Sequence, residues 1–137
     1  MNSEEYARAM AKFSSANDGE NGGAEDISHH ILSDIYELES KGLYRECAIY
    51  ISEQLHLSLH YNTLVSRVVF RDLDFKVLST WSMIALLRHT LWSRNSLPRW
   101  YDLLDYTVNY YEENNLSKMD LFGLVQIHKE RTNKHSI

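Results

Sequence analysis

Thr63-Leu64-Val65-Ser66-Arg67-Val68-Val69-Phe70 is the stretch whose reading decides the fold. Its β-branched residues suit a strand, while Tyr61, Leu64, Val65 and Val68 recur at helical spacing. A strand needs a partner, and no other segment of the 137 residues alternates convincingly enough to supply one. Because a lone strand is unstable, the stretch is read as helix, and the chain becomes all-α.

Working outward, the flanking segments carry the same period. Upstream, Tyr44, Cys47, Ala48, Ile51 and Leu55 fall at i, i+3, i+4, i+7 and i+11, an apolar stripe that faces a core. Before them Ile27, Ile31, Leu32, Ile35 and Leu38 form a second stripe, with Asp26 or Ser28 as its cap and Gly42 as its left-handed stop. Downstream, Ser79 or Thr80 caps a helix burying Ile84, Leu87 and Leu91. Ser96 and Pro98 then open a helix carrying Trp100, Leu103, Leu104 and Val108, and Asn114 and Asn115 end it. Ser117-x-x-Asp120 is a further start signal, leading to Leu121, Leu124, Val125 and Ile127. Gly123 reads as a packing position.

The expected architecture is a single bundle of five or six helices in antiparallel pairs. Residues 1–25 are expected to be a flexible acidic arm, 26–130 the helical domain and 131–137 a polar tail. The arm is inferred from Ser14 to Gly23, where no apolar side chain larger than alanine offsets the entropy of ordering.

Composition narrows the class of protein. Hydrophobic residues make up 44% and charged residues 24%, as in ordinary globular domains. Of the net charge of -5, the first 26 residues carry -4, with Glu4, Glu5, Asp18, Glu20, Glu25 and Asp26 against Arg8 and Lys12. The domain is thus nearly neutral and lacks the broad positive field that gathers phosphates. Cys47 is the one cysteine, so no intrachain disulfide, thiolate zinc site or C-x-x-C pair can form. With no signal-peptide pattern at Met1–Glu5 and no apolar run near the roughly 20 residues of a bilayer span, a soluble, cytoplasmic protein is expected.

Catalytic signals are missing: G-x-S-x-G, G-x-x-x-x-G-K-[ST] and G-x-G-x-x-G do not occur. Glu53, His56 and His60 share a helical face, with the Glu-x-x-His spacing of di-metal bundles. Such a site requires a second motif, and Asp26-Ile27-Ser28-His29 is the nearest approach to one. His29 and His30, with Asp34 one turn on, are as readily solvated side chains. A metal-dependent enzyme built on His29, His30, Glu53, His56 and His60 is therefore the weakest alternative. The reading favours no enzyme, no cofactor and no metal, with Cys47 as a packing residue.

The richest segment is the hinge around Pro98. From Leu87 to Tyr101 the charges are Arg88, Arg94 and Arg99 with no acid, interleaved with His89, Trp92, Trp100 and Tyr101. Trp, Tyr and Arg are the residues enriched in protein-binding hot spots. Tyr101, Tyr106, Tyr110 and Tyr111 then spread around the following helix, which calls for a central position or cover by a partner.

The expected function is a non-enzymatic interaction module, an adaptor, inhibitor or regulatory subunit. Its expected surface is Arg88, Trp92, Arg94, Arg99, Trp100, Tyr101, Tyr110 and Tyr111, and a homo-oligomer is plausible. The alternative is nucleic-acid binding through Arg67, Arg71, Arg88, Arg94 and Arg99. Asp102, Asp105, Glu112 and Glu113 weigh against it, since they repel phosphates.

Overall fold

In a computed structural model of the protein, residues 21–135 are described, together with Glu4, Ala7 and Arg8. The rest of the expected acidic arm, and residues 136 and 137, lie outside the described residues. Among those described are six α-helices and three short 3-10 helices, with no strand. The α-helices are α1 Asn21–Ser40, α2 Tyr44–Tyr61, α3 Thr63–Asp72, α4 Thr80–His89, α5 Trp100–Glu113 and α6 Leu124–His135.

The deciding stretch is α3. It buries Val65, Ser66, Val68, Val69 and Phe70, and the Asn62 side chain caps it by accepting from the Leu64 N–H at 3.1 Å. Helical spacing outweighs the β-branched content because that face packs on α1 and α2. Ser58, Ser66 and Val65 supply the polar register. Ser66 Oγ donates to Ser58 Oγ at 2.6 Å, and Ser28 Oγ donates to the Val65 carbonyl at 3.1 Å.

Helix α1 extends back to Asn21, so Asp26 and Ser28 lie inside it and neither is its cap. Ala24, one turn in, is buried, and this gives residues before Asp26 something to pack against. At the other end Gly42 is the expected stop, with φ +73°. The Leu43 N–H reaches the Leu38 carbonyl and the Gly42 N–H the Glu39 carbonyl, each at 3.0 Å. This 6→1 and 5→2 pair satisfies the free carbonyls of the helix end. The chain reverses there, and α1 and α2 run antiparallel, with Tyr50 on Asp34 and Cys47 on the Ile35 carbonyl.

Helix α4 packs against α2 on one side and α5 on the other. Ser79 is its cap, accepting from the Ser82 N–H. Glu39, from the end of α1, is buried beneath this cap and accepts from Ser79 N–H at 2.9 Å, from Ser79 Oγ at 2.8 Å and from Ser82 Oγ. A carboxylate at a helix N-terminus satisfies orphan donors and complements the helix dipole. The contact ties the first helical pair to the second.

Helix α5 begins at Trp100, two residues after Pro98, and Ser96 does not cap it: its hydroxyl donates to the Ser93 carbonyl at 2.9 Å. The N-cap is Arg99, in the left-handed region at φ 63°. Ser117-x-x-Asp120 opens the 3-10 turn Lys118–Leu121, and α6 starts only after Gly123 at φ +86°. Gly123 is therefore a turn glycine, with nothing within 4 Å of where a Cβ would stand. The helix α6 carries the chain to His135 antiparallel to α5, held by Arg131 on Asp105 and by His128 on Asp105 at 3.5 Å. The expected polar tail is thus partly helix, since Arg131 finds a carboxylate and its guanidinium lies 5.1 Å from the Tyr101 ring centroid.

Candidate interaction surface

The sequence marks the hinge, and the structure shows where each hinge residue goes. Trp100 is fully buried, and its Nε1–H donates to Thr90 Oγ1 at 2.8 Å. Tyr111, 2% exposed, is also core, and burial pushes its hydroxyl above the ordinary phenol range. Trp100, Leu103, Leu104, Thr107, Val108 and Tyr111 are the buried residues of α5, and their spacing is a single 3.6-period stripe. Trp100 accordingly offers no surface to a partner and Tyr111 almost none, which corrects the expectation for both.

The arginines are engaged by the protein's own backbone. Arg99 Nη1 donates to the Arg71 carbonyl at 2.9 Å and the Leu73 carbonyl at 2.8 Å, and its guanidinium lies 4.3 Å from the Phe75 ring centroid. These are carbonyls at the C-terminus of α3, which a cation satisfies well. Arg88 Nη2 donates to the carbonyls of Asp120 and Phe122 at 2.9 and 3.1 Å. Arg94 Nη1 donates to the Leu91 carbonyl at 2.9 Å. Tyr101 is half-buried, its hydroxyl on Asn95 Oδ1 at 2.7 Å. Of the hinge aromatics only Trp92 stands free, 98% exposed.

Arg71 is likewise committed, to Glu25 at 2.9 Å and Asp72 at 2.8 Å. Of the five arginines of the nucleic-acid reading, only Arg67 has no hydrogen-bond or ion-pair partner among the described residues.

Apart from Trp92, the largest exposed apolar side chains lie elsewhere. A depression of about 330 Å³ is lined by Thr80, Trp81, Ile84, Tyr111 and Asp120. A second, of about 480 Å³, shares Thr80 and Trp81 and runs on past Tyr110, Leu116 and Val77 to Tyr44, with Glu39 among its lining residues. The two adjoin at Thr80 and Trp81, the latter 54% exposed, and together make one groove. Its floor comes from α4 and the end of α5. Its rim is the segment 116–122, turned at Asn115, φ 54°, and fixed by the Arg88 clamp and by Tyr111 Oη on Asp120 at 3.4 Å. Within this segment, beside the lining residue Asp120, Met119 is 84% and Phe122 82% exposed.

Sequence reasoning passed over Trp81, Met119 and Phe122. For Trp81 the signal was available: at 100° per residue it falls opposite Met83, Leu86 and Leu87, the buried side of α4, and beside Ile84 and Arg88. Met119 and Phe122 flank a turn and follow no periodicity. Of the expected surface residues, half-buried Tyr110 and the nearly buried Tyr111 line this site, and Arg88 fixes its rim.

The histidines do not assemble as proposed. Glu53, His56 and His60 are exposed, and His60 packs edge-on against Tyr61. Asp34 accepts from Tyr50, not from His30. The one group with metal-ligand geometry among the described residues is Glu25, His29 and Asp72, whose ligand atoms lie within 4.8 Å of one another. Arg71 already occupies that cluster, and its hydrogen bonds bring Asp72 down to about 2 and lower Glu25 as well. Paired in this way, the cluster reads as an ion-pair network linking α1 to α3. Cys47 is fully buried, and burial pushes its thiol up to about 11, so it is a packing residue and not a nucleophile.

Fold and surface together define an all-α bundle with an exposed aromatic groove between α4 and the 116–122 segment. Comparison with family models, curated proteins and solved structures gives no match. No helix among the described residues is long and apolar enough to cross a membrane.

Proposed function

We propose that the protein is a non-enzymatic helical interaction module, an adaptor, inhibitor or regulatory subunit, that binds protein through the Trp81 groove. The observation that carries this reading is the exposure of Trp81 and Leu116 in the two adjoining depressions, with Met119 and Phe122 exposed in the segment that also supplies the lining residues Leu116 and Asp120. An apolar patch of several hundred Å² is costly to leave in water, and on soluble domains it marks contact sites. Aromatic side chains and Met are the residues enriched at interface cores. The hinge arginines and Trp100 serve the domain itself, so the surface moves from Pro98 to Trp81.

The test is affinity capture of the intact chain from its source lysate, with nuclease present, comparing wild type with Trp81→Ala and Phe122→Asp. A stoichiometric protein lost from both variants while Trp92→Ala retains it is the expected result. Retention by both groove variants, or capture of nuclease-sensitive material alone, overturns the assignment.

A further inference from the structure

The groove has the properties of a surface that fits itself. It joins two hollows of about 330 and 480 Å³ that share the exposed Trp81 to a segment, 116–122, that lines them through Leu116 and Asp120 and exposes Met119 and Phe122. In a two-fold contact the same patch meets its own copy, so knobs and hollows must coexist on one face.

Its charge pattern suits the same arrangement. Asp120 lines one depression and Lys76 the other. A two-fold axis near Trp81 turns the copy end for end, setting the lysine of one protomer against the aspartate of its partner. The remaining charges there are occupied: Glu39 by Ser79 and Ser82, Arg88 by two carbonyls, and Lys118 by Glu112 at 3.0 Å. No excess of one sign opposes association.

The area is also sufficient. Tyr44, Val77, Trp81, Leu116, Met119 and Phe122 are between 40% and 84% exposed. At 150–250 Å² for a large side chain they present on the order of 700 Å², close to the roughly 800 Å² per partner of a standard interface.

We propose that the occupant of the groove is a second copy of this chain, forming an isologous dimer about an axis near Trp81. The inference rests on the groove being a protein-contact surface and names what covers it. Sedimentation equilibrium of the full chain, with Phe122→Asp, Met119→Asp and Trp92→Asp alongside, reads it directly.

The wild type is expected to dimerise with a dissociation constant of about 10 μM or tighter. Phe122→Asp and Met119→Asp, at positions too exposed to disturb folding, are expected to weaken this at least about tenfold, and Trp92→Asp to leave it unchanged. Lys76→Glu and Asp120→Lys are each expected to weaken the dimer and, combined, to restore it. A monomer at about 100 μM, or a dimer indifferent to Phe122→Asp and Met119→Asp, overturns the proposal.

The two readings fail separately. A monomer whose lysate partner is still lost on Phe122→Asp discards the second copy and keeps the groove. A monomer whose captured partner is indifferent to the groove variants discards both.

Discussion

The hinge around Pro98 and the groove around Trp81 are built from the same residue types, yet they do opposite things. In the hinge, Arg99 reaches back to the carbonyls that end α3, and Trp100 is buried with its N–H on Thr90. The guanidinium of Arg99 and the indole N–H of Trp100 are both engaged inside the domain, and the Trp100 ring contributes to cohesion. In the groove, Arg88 fixes the rim, and the apolar area of Trp81, Met119 and Phe122 is left facing water. Arginine with aromatics therefore signals an interface only where the aromatic faces remain uncovered. Whether they do depends on which side of its helix each residue occupies.

Substitutions in the two regions should separate them sharply. Trp100→Ala removes a fully buried indole and the donor to Thr90 Oγ1, which keeps its own bond to the Leu86 carbonyl. A loss of about 3–5 kcal/mol is expected in urea unfolding, the largest effect of the set; a loss below about 1 kcal/mol contradicts a cohesive hinge. Arg99→Ala is expected to cost about 2 kcal/mol, because carbonyls at the end of α3 lose a charged donor. Alanine keeps the Cβ at the left-handed φ of 63°, so Arg99→Ala isolates the guanidinium, and its comparison with Arg99→Gly isolates the backbone strain.

The bonds of Arg99 to carbonyls do not titrate, whereas the α1–α3 contact rests on carboxylates that do. The Asp72 carboxyl is held near 2 by the Arg71 hydrogen bond, below its unfolded range. A depressed carboxylate contributes stability above its unfolded pKa, and that contribution fades as pH falls toward 2. Asp72→Asn is therefore expected to flatten the acid limb of a stability–pH curve, whereas Arg99→Ala lowers the curve evenly from pH 4 to 8. Equal flattening by both breaks the distinction. Smallest of all, Trp92→Ala is expected within about 0.5 kcal/mol of wild type, since the side chain is 98% exposed.

Much of the scaffold was legible in the sequence because it is encoded locally. Gly42 stops α1, Ser79 caps α4, and Asn115 turns the chain after α5, each through bonds spanning only a few residues. The helical choice for residues 63–70 held because an apolar face found two helices to cover it. Even the burial of Trp100 and Tyr111 was readable, since both sit on the α5 stripe. It was obscured by reading residue type ahead of helical position.

Other features depend on tertiary contacts that no local pattern encodes. The partners of Arg99 lie 26 and 28 residues earlier in the chain, and Glu39 sits 40 residues before Ser79, the cap it supports. The exposure of Met119 and Phe122 follows from the turn at Gly123, where a left-handed residue takes the chain out of its 3-10 turn before α6 can begin. Tyr44 shows the limit of the periodic argument from the other side: it opens the α2 stripe, but at the helix end it is 45% exposed and joins the groove.

Hydroxyl-radical footprinting of the intact protein tests the contrast between groove and hinge most directly. It should be read by mass spectrometry at Trp81, Met119, Phe122 and Trp92 as concentration rises from about 1 μM to about 100 μM. The groove residues are expected to become protected together while Trp92 is oxidised equally throughout. Oxidation of all four at rates independent of concentration and of added lysate partner would contradict the groove as the protein's contact surface.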